Sequence, residues 1–193
     1  MAILPEKLKQ VLCEQSVDPG IIKKIYEGFE EYSSKTPKRK RVEFIIHAIK
    51  EMDNCLDVYT RKRIMESCSC STIRANDKNT IQFINATRNL PLGDRVQRLK
   101  EFPHLWNPVL QEDGTILIRC DSATDGQNKC NCFQLRGIEI KEPISLTYCM
   151  CCGGHFKSSC ESLLGIKLEI IKMASPLESM GKEPCAFVLK CLE

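Results

Sequence analysis

Three times the chain places two cysteines one residue apart: Cys68 with Cys70, Cys130 with Cys132, and Cys149 with Cys151. Cys152, Gly153, Gly154 and His155 follow the third pair directly. With 13 cysteines in 193 residues, chance placement gives roughly 0.9 such spacings. Thiolates gathered from separate segments are how a protein builds a zinc or iron–sulfur site. Cys149 and Cys152 form a C-x-x-C, a spacing that lets two thiolates grip one tetrahedral ion. Cys151 and His155 are four apart and share a face once a helix has begun, either as two metal ligands or as a thiol with its general base. Cys151, Cys152 and His155 are therefore also the candidate catalytic groups.

The three clusters offer seven thiols and His155, more than the four ligands of one zinc ion. Either some donors are unused, or there are two ions, or the extra thiols are reactive. Cys130 and Cys132 lie in a polar loop, and Cys68 and Cys70 in a polar stretch after a helix, so burial alone explains them poorly. Cys13, Cys55, Cys120, Cys160 and Cys191 fall on or beside apolar stretches and read as core. None of the spacings matches the ferredoxin runs, which favours zinc and leaves an iron–sulfur cluster as the alternative. A phosphate-binding glycine loop and a G-x-S-x-G nucleophile motif are both absent.

The rest of the chain must position these groups. Hydrophobic residues make 42% and charged residues 27% of it, enough for one substantial core. No apolar run approaches a membrane span, and a charge by position 6 interrupts any export signal, which predicts a cytoplasmic protein. In a reducing compartment clustered cysteines are metal ligands or reactive thiols more often than a disulfide scaffold. The net charge is +3. The basic runs at 38–41 and 61–63 lack interleaved aromatics, so they read as solvated helix surface and predict no nucleic-acid partner.

Helical periodicity dominates residues 1–66, a helical N-terminal segment. A helix is predicted over 5–14, and Asp18 before Pro19 signals a second, with Ile21, Ile22, Ile25 and Phe29 as its stripe. Thr36-Pro37 opens a long third helix over 38–66. Two shorter helices follow at 77–89 and 91–102. From Trp106 the character changes. Asp113-Gly114 marks a turn before a strand at 115–119, and strands are also predicted at 133–140, 144–149, 166–173 and 185–191. A polar loop with a second turn signal, Asp125-Gly126, spans 121–129. A helix over 154–164, stopped by Gly165, is inserted among the strands. The fold class is α+β: N-terminal helices packed on a mainly antiparallel C-terminal sheet of about five strands. Residues 67–193 form the cysteine-rich part, joined to 1–66 either as a second domain or within one.

The last 45 residues resemble the end of the 4-vinyl reductase domain, a small-molecule-binding module of bacterial regulators and hydrocarbon-binding proteins. It is distantly related in fold to subunits of the eukaryotic transport-protein-particle complex. Cys149 starts the pattern, Leu164-Gly165 ends its helix, and Gly181-Lys182-Glu183-Pro184-Cys185-Ala186-Phe187 matches its close. The resemblance implies zinc held by Cys149 and Cys185. The family's other two ligands, a Glu and a Cys, are missing from residues 172–177, which makes Cys130, Cys132, Cys151 and Cys152 the candidate replacements. The whole chain also looks like a cysteine-rich bacterial and archaeal family sharing Tyr148 to Phe156. The L-2-amino-thiazoline-4-carboxylic acid hydrolase-like group has a similar C-terminal pattern.

These readings lead to two functional expectations. The first is a zinc-binding protein that binds or senses a small apolar or aromatic molecule, with a homodimer among the partners the resemblance allows. The second is a metal- or thiol-dependent hydrolase-like enzyme that uses Cys151 or Cys152 with His155.

Overall fold

The structure, a computed structural model, describes residues 3–70, 73, 77–120, 122–124 and 126–192. Seven α-helices and two antiparallel sheets are present among them, so the chain is α+β. Two compact units share the chain: Met1–Cys70 with Cys130–Gly154, and Ser71–Lys129 with His155–Glu193. Among the described residues no helix is long and apolar enough to cross a membrane.

The first unit carries helices α1 (Pro5–Glu14), α2 (Pro19–Tyr26), α3 (Lys38–Cys55) and α4 (Val58–Ser67). α1 has the bounds its periodicity predicts, and Leu8, Val11 and Leu12 are its buried stripe. Asp18 caps α2 as expected, accepting from the Gly20 and Ile21 N–H groups at 2.8 and 3.3 Å. The long helix expected over 38–66 is in fact two. Leu56 is extended, and the Asp57 carboxylate accepts from the Tyr59 and Thr60 N–H groups at 2.9 and 3.0 Å, which starts α4 afresh. An aspartate at an N-cap competes well with helix continuation, and its signal was hidden inside an unbroken apolar stripe.

The second unit holds α5 (Lys78–Thr87), α6 (Leu92–Arg98) and a four-stranded antiparallel sheet. Its strands are β1 (Val109–Leu110), β2 (Ile116–Cys120), β5 (Lys167–Ala174) and β6 (Cys185–Leu192), ordered β1-β2-β6-β5. Asp113 and Gly114 make the turn between β1 and β2: Gly114 takes φ +79°, and the Asp113 carboxylate accepts from the Thr115 N–H at 2.9 Å. A short hairpin, β3 (Ala123–Thr124) with β4 (Gln127–Asn128), occupies the expected polar loop. Gly126 at φ +75° turns it, while Asp125 lies outside the described residues. Phe156 packs between Trp106 and Phe187, with ring centroids 4.7 and 5.1 Å away, against the buried face of β6.

Three of the five expected strands form at 115–119, 166–173 and 185–191, each within a residue or so. The other two do not. Residues 133–137 are turns, because the Cys132 carbonyl accepts from Leu135 and Arg136 N–H groups at 3.0 and 2.8 Å. Residues 146–149 begin α7 (Leu146–Leu164) instead of ending a strand. Ser145 starts that helix, its hydroxyl accepting from the Thr147 N–H at 3.3 Å. Gly165 ends it where expected, in the left-handed conformation at φ +64°.

Candidate functional site

The site is built in the first unit, where α4, the 130–137 turns and the first turns of α7 bring the three cysteine clusters together. A polar anchor fixes the start of α7. Ser145 and Thr147 donate from their hydroxyls to the two Asp53 carboxylate oxygens of α3 at 2.5 and 2.6 Å. Arg61 of α4 pairs with the same carboxylate and lies 3.2 Å from the Thr147 hydroxyl. One part-buried carboxylate thus ties three helices at a single point.

Gly154 lets α7 come close to α4. A Cβ at that position would stand 2.8 Å from the Glu66 Cα, inside any real carbon contact. The turns at 130–137 are held separately. Lys38 of α3 donates to the Arg136 carbonyl at 2.7 Å, and the Gln134 amide donates to the Ile3 carbonyl at 3.3 Å.

Two cysteine pairs result. Cys151 lies near enough to Cys70, and Cys152 near enough to Cys132, to shift its titration, so neighbouring residues of one helix each act on a cysteine from a different segment. The hydrogen bond from Cys151 holds Cys70 down to about 7. The bond from Cys152, with a further one from Tyr148, holds Cys132 down to about 6. Their donors move the other way: Cys151 and Cys152 are raised well above the usual thiol range, first by those same bonds and then by burial. The Cys151 thiol donates to the Cys68 carbonyl oxygen at 3.4 Å.

Tyr148 is the residue that the cysteine spacings do not reveal. Its hydroxyl is 2.9 Å from the Cys132 sulfur, and the ring is buried. Burial and the Cys132 charge keep the phenol protonated, so it donates to the thiolate. The Cys132 backbone N–H in turn donates to the Cys130 sulfur at 3.4 Å. Cys68 is fully buried and raised to about 11 by desolvation, and Cys149 is buried as well.

The expected groups therefore divide. Cys68, Cys70, Cys130, Cys132, Cys149, Cys151 and Cys152 all belong to the first unit, whereas His155 and Cys185 belong to the second. His155 stacks there among aromatic rings, 5.9 Å from His104 and 5.2 Å from Phe156. Cys185 stands opposite Cys120 in the β2–β6 ladder. Cys151 and Cys152 lie inside a helix rather than at a strand-to-helix junction, and their low-pKa partners, Cys70 and Cys132, carry the thiolate character.

The zinc expectation can be tried against this geometry. Thiolates suit a borderline-soft ion such as zinc, but a structural zinc needs four donors around one point. Among the described residues no three His, Cys, Asp or Glu side chains are grouped so as to hold an ion. An open cleft of about 350 Å³ also lies in this unit, lined by Glu6, Lys9, Gln10, Tyr26, Glu30 and Tyr32 among others.

No protein-family model, curated protein or solved structure matches this chain.

Proposed function

We propose that the protein carries out thiol–disulfide exchange through two cysteine pairs, Cys132 with Cys152 and Cys70 with Cys151. The observation that carries this reading is the pairing itself: in each pair one cysteine is held low, Cys70 or Cys132, and its neighbour, Cys151 or Cys152, is raised. That is the division of labour between an attacking and a resolving thiol.

The chemistry balances with a disulfide as co-substrate. The Cys132 thiolate attacks one sulfur of a substrate disulfide, the substrate S–S bond breaks, and one substrate thiolate leaves. Cys152 loses its proton and attacks the Cys132 sulfur of the mixed disulfide, releasing the second substrate thiolate. The products are a Cys132–Cys152 disulfide and two substrate thiols. Tyr148 stabilises the attacking thiolate by its hydrogen bond to Cys132. Cys70 and Cys151 can follow the same sequence.

The reading differs from the expected thiol enzyme in its nucleophile. Cys151 and Cys152 keep their protons, so attack falls to Cys70 and Cys132 and the pairs act on sulfur without His155. The test is stopped-flow exchange of the reduced protein with a chromogenic aromatic disulfide at pH 7. A fast phase releasing two chromophore thiols per pair supports the proposal. In Cys132→Ser that phase should shrink by half, while Cys152→Ser should stall as a mixed disulfide on Cys132. A single slow phase, unchanged by either substitution, would overturn it.

A second reading is favoured by the convergence of three thiol-bearing segments in one unit. In it Cys70, Cys132, Cys151 and Cys152 would have to close in further to hold a zinc ion, which would then brace a small-molecule-binding protein. Bound zinc would supply cross-linking charge to the fold, and chelation would then lower the thermal midpoint sharply. Elemental analysis of protein purified without air separates the readings: one zinc per chain, lost in Cys132→Ser, favours this one.

A further inference from the structure

The second unit contains a cysteine pair that the proposed exchange site does not use. Cys120 ends β2 and Cys185 begins β6, and the antiparallel register sets them directly opposite each other. The same ladder pairs Ile118 with Phe187 and Ile116 with Leu189, all four buried, so the two cysteines continue one apolar face. Their exposures are 8% and 5%.

Register alone brings them into bridging range. Residues opposite one another in an antiparallel ladder have Cα atoms about 4.5 or 5.5 Å apart, depending on the hydrogen-bonding phase. Both spacings fall inside the roughly 4.4–6.8 Å that a disulfide spans. The strands therefore need no large movement to accept the bond. Both cysteines stand at the same end of the ladder, where pairing frays most readily, so a small oxidant can reach sulfurs that a mid-sheet position would shield.

We propose that Cys120 and Cys185 are a cross-strand disulfide site that low-molecular-mass disulfides oxidise, locking β2 to β6. One thiolate attacks the oxidant's S–S bond and forms a mixed disulfide, releasing one small thiol. The second cysteine loses its proton and attacks the protein sulfur of that mixed disulfide, releasing the other small thiol. One oxidant is reduced to two thiols, and one protein S–S bond forms. The closed loop runs from β2 through α7 and β5 to β6, long enough to restrict the unfolded chain strongly.

The experiment uses the full chain and oxidised glutathione, followed by alkylation and non-reducing peptide mapping. The expected result is a linked pair of peptides containing Cys120 and Cys185, with the thermal midpoint raised by about ten degrees. Both should persist in Cys70→Ser/Cys132→Ser, which disables the proposed exchange pairs, and the rise should vanish in Cys120→Ala. Wild-type mapping needs no folded variant: if Cys120 and Cys185 appear only as separately alkylated or separately glutathionylated peptides, the proposal is wrong. Failure of the exchange pairs to form, with this link intact, would sink the exchange reading alone.

Discussion

The two units solve the same geometric problem, bringing one thiol to another, in different ways. In the second unit a regular ladder does it: once β2 and β6 pair in their register, Cys120 and Cys185 are opposite without further help. In the first unit nothing regular does it. Cys70 follows the end of α4, Cys132 sits beside a turn, and Cys151 and Cys152 ride on α7, so each pair depends on separate anchors. The physical difference is between a repeating backbone hydrogen-bond pattern and a handful of particular side-chain contacts. A ladder tolerates local substitution, whereas a site hung on a few contacts does not. Charge follows the same division. Two of the first-unit thiols are pulled to about 7 and about 6, each chiefly by a neighbouring cysteine.

The largest effect should come from the close approach of α7 to α4. Gly154→Val places a side chain against the Glu66 backbone, which should cost about 3 kcal/mol in denaturant unfolding and separate Cys151 from Cys70. The Cys120–Cys185 link should still form. If Gly154→Val lost that link and kept the first-unit pairs, the contrast would be reversed.

Next comes the Asp53 anchor. Asp53→Ala removes two hydroxyl partners and strands Arg61, with an expected loss of about 2 kcal/mol because the group is only partly buried. Alkylation of Cys151 and Cys152 should speed up in the variant, since α7 no longer holds them against their partners. A loss of stability without that change in alkylation would make Asp53 a general brace rather than an anchor of the site.

A smaller loss, about 1 kcal/mol, is expected for Asp57→Ala, which removes the α4 cap. The smallest effect concerns protons. Alkylation of Cys132 and Cys70 should rise with pH through midpoints of about 6 and about 7, because the thiolate is the reacting form and its fraction falls as pH drops below each value. Tyr148→Phe removes one stabiliser of the Cys132 thiolate, so its midpoint alone should move upward, by roughly half a pH unit. Equal movement at Cys70 would show that Tyr148 acts on the whole unit.

The same contrast governs what could be read from the amino-acid sequence. α1, α2, the β1–β2 turn, β5 and β6 follow from periodicity and turn residues, since local signals suffice for them. The break at Asp57 and the start of α7 at Ser145 were missed because capping residues were outvoted by apolar runs on either side. That second miss moved Cys149, Cys151 and Cys152 from an imagined strand end into a helix, and with it the choice of nucleophile. The convergence of Cys70, Cys132, Cys151 and Cys152 was legible as clustered spacing, but which thiol faces which depends on Asp53, Gly154 and Lys38, residues far away along the chain. Tyr148 had no spacing signal beyond its place next to Cys149.

The central claim is that the first-unit thiols work as two specific pairs. Peptide mapping of the wild-type chain after stepwise oxidation with oxidised glutathione at pH 7 tests it most directly. The expected result is a Cys132–Cys152 link at the lowest oxidant, then Cys70–Cys151, with Cys68 and Cys149 still alkylatable. Links scattered among all nine first-unit cysteines, or none before the protein unfolds, would contradict it.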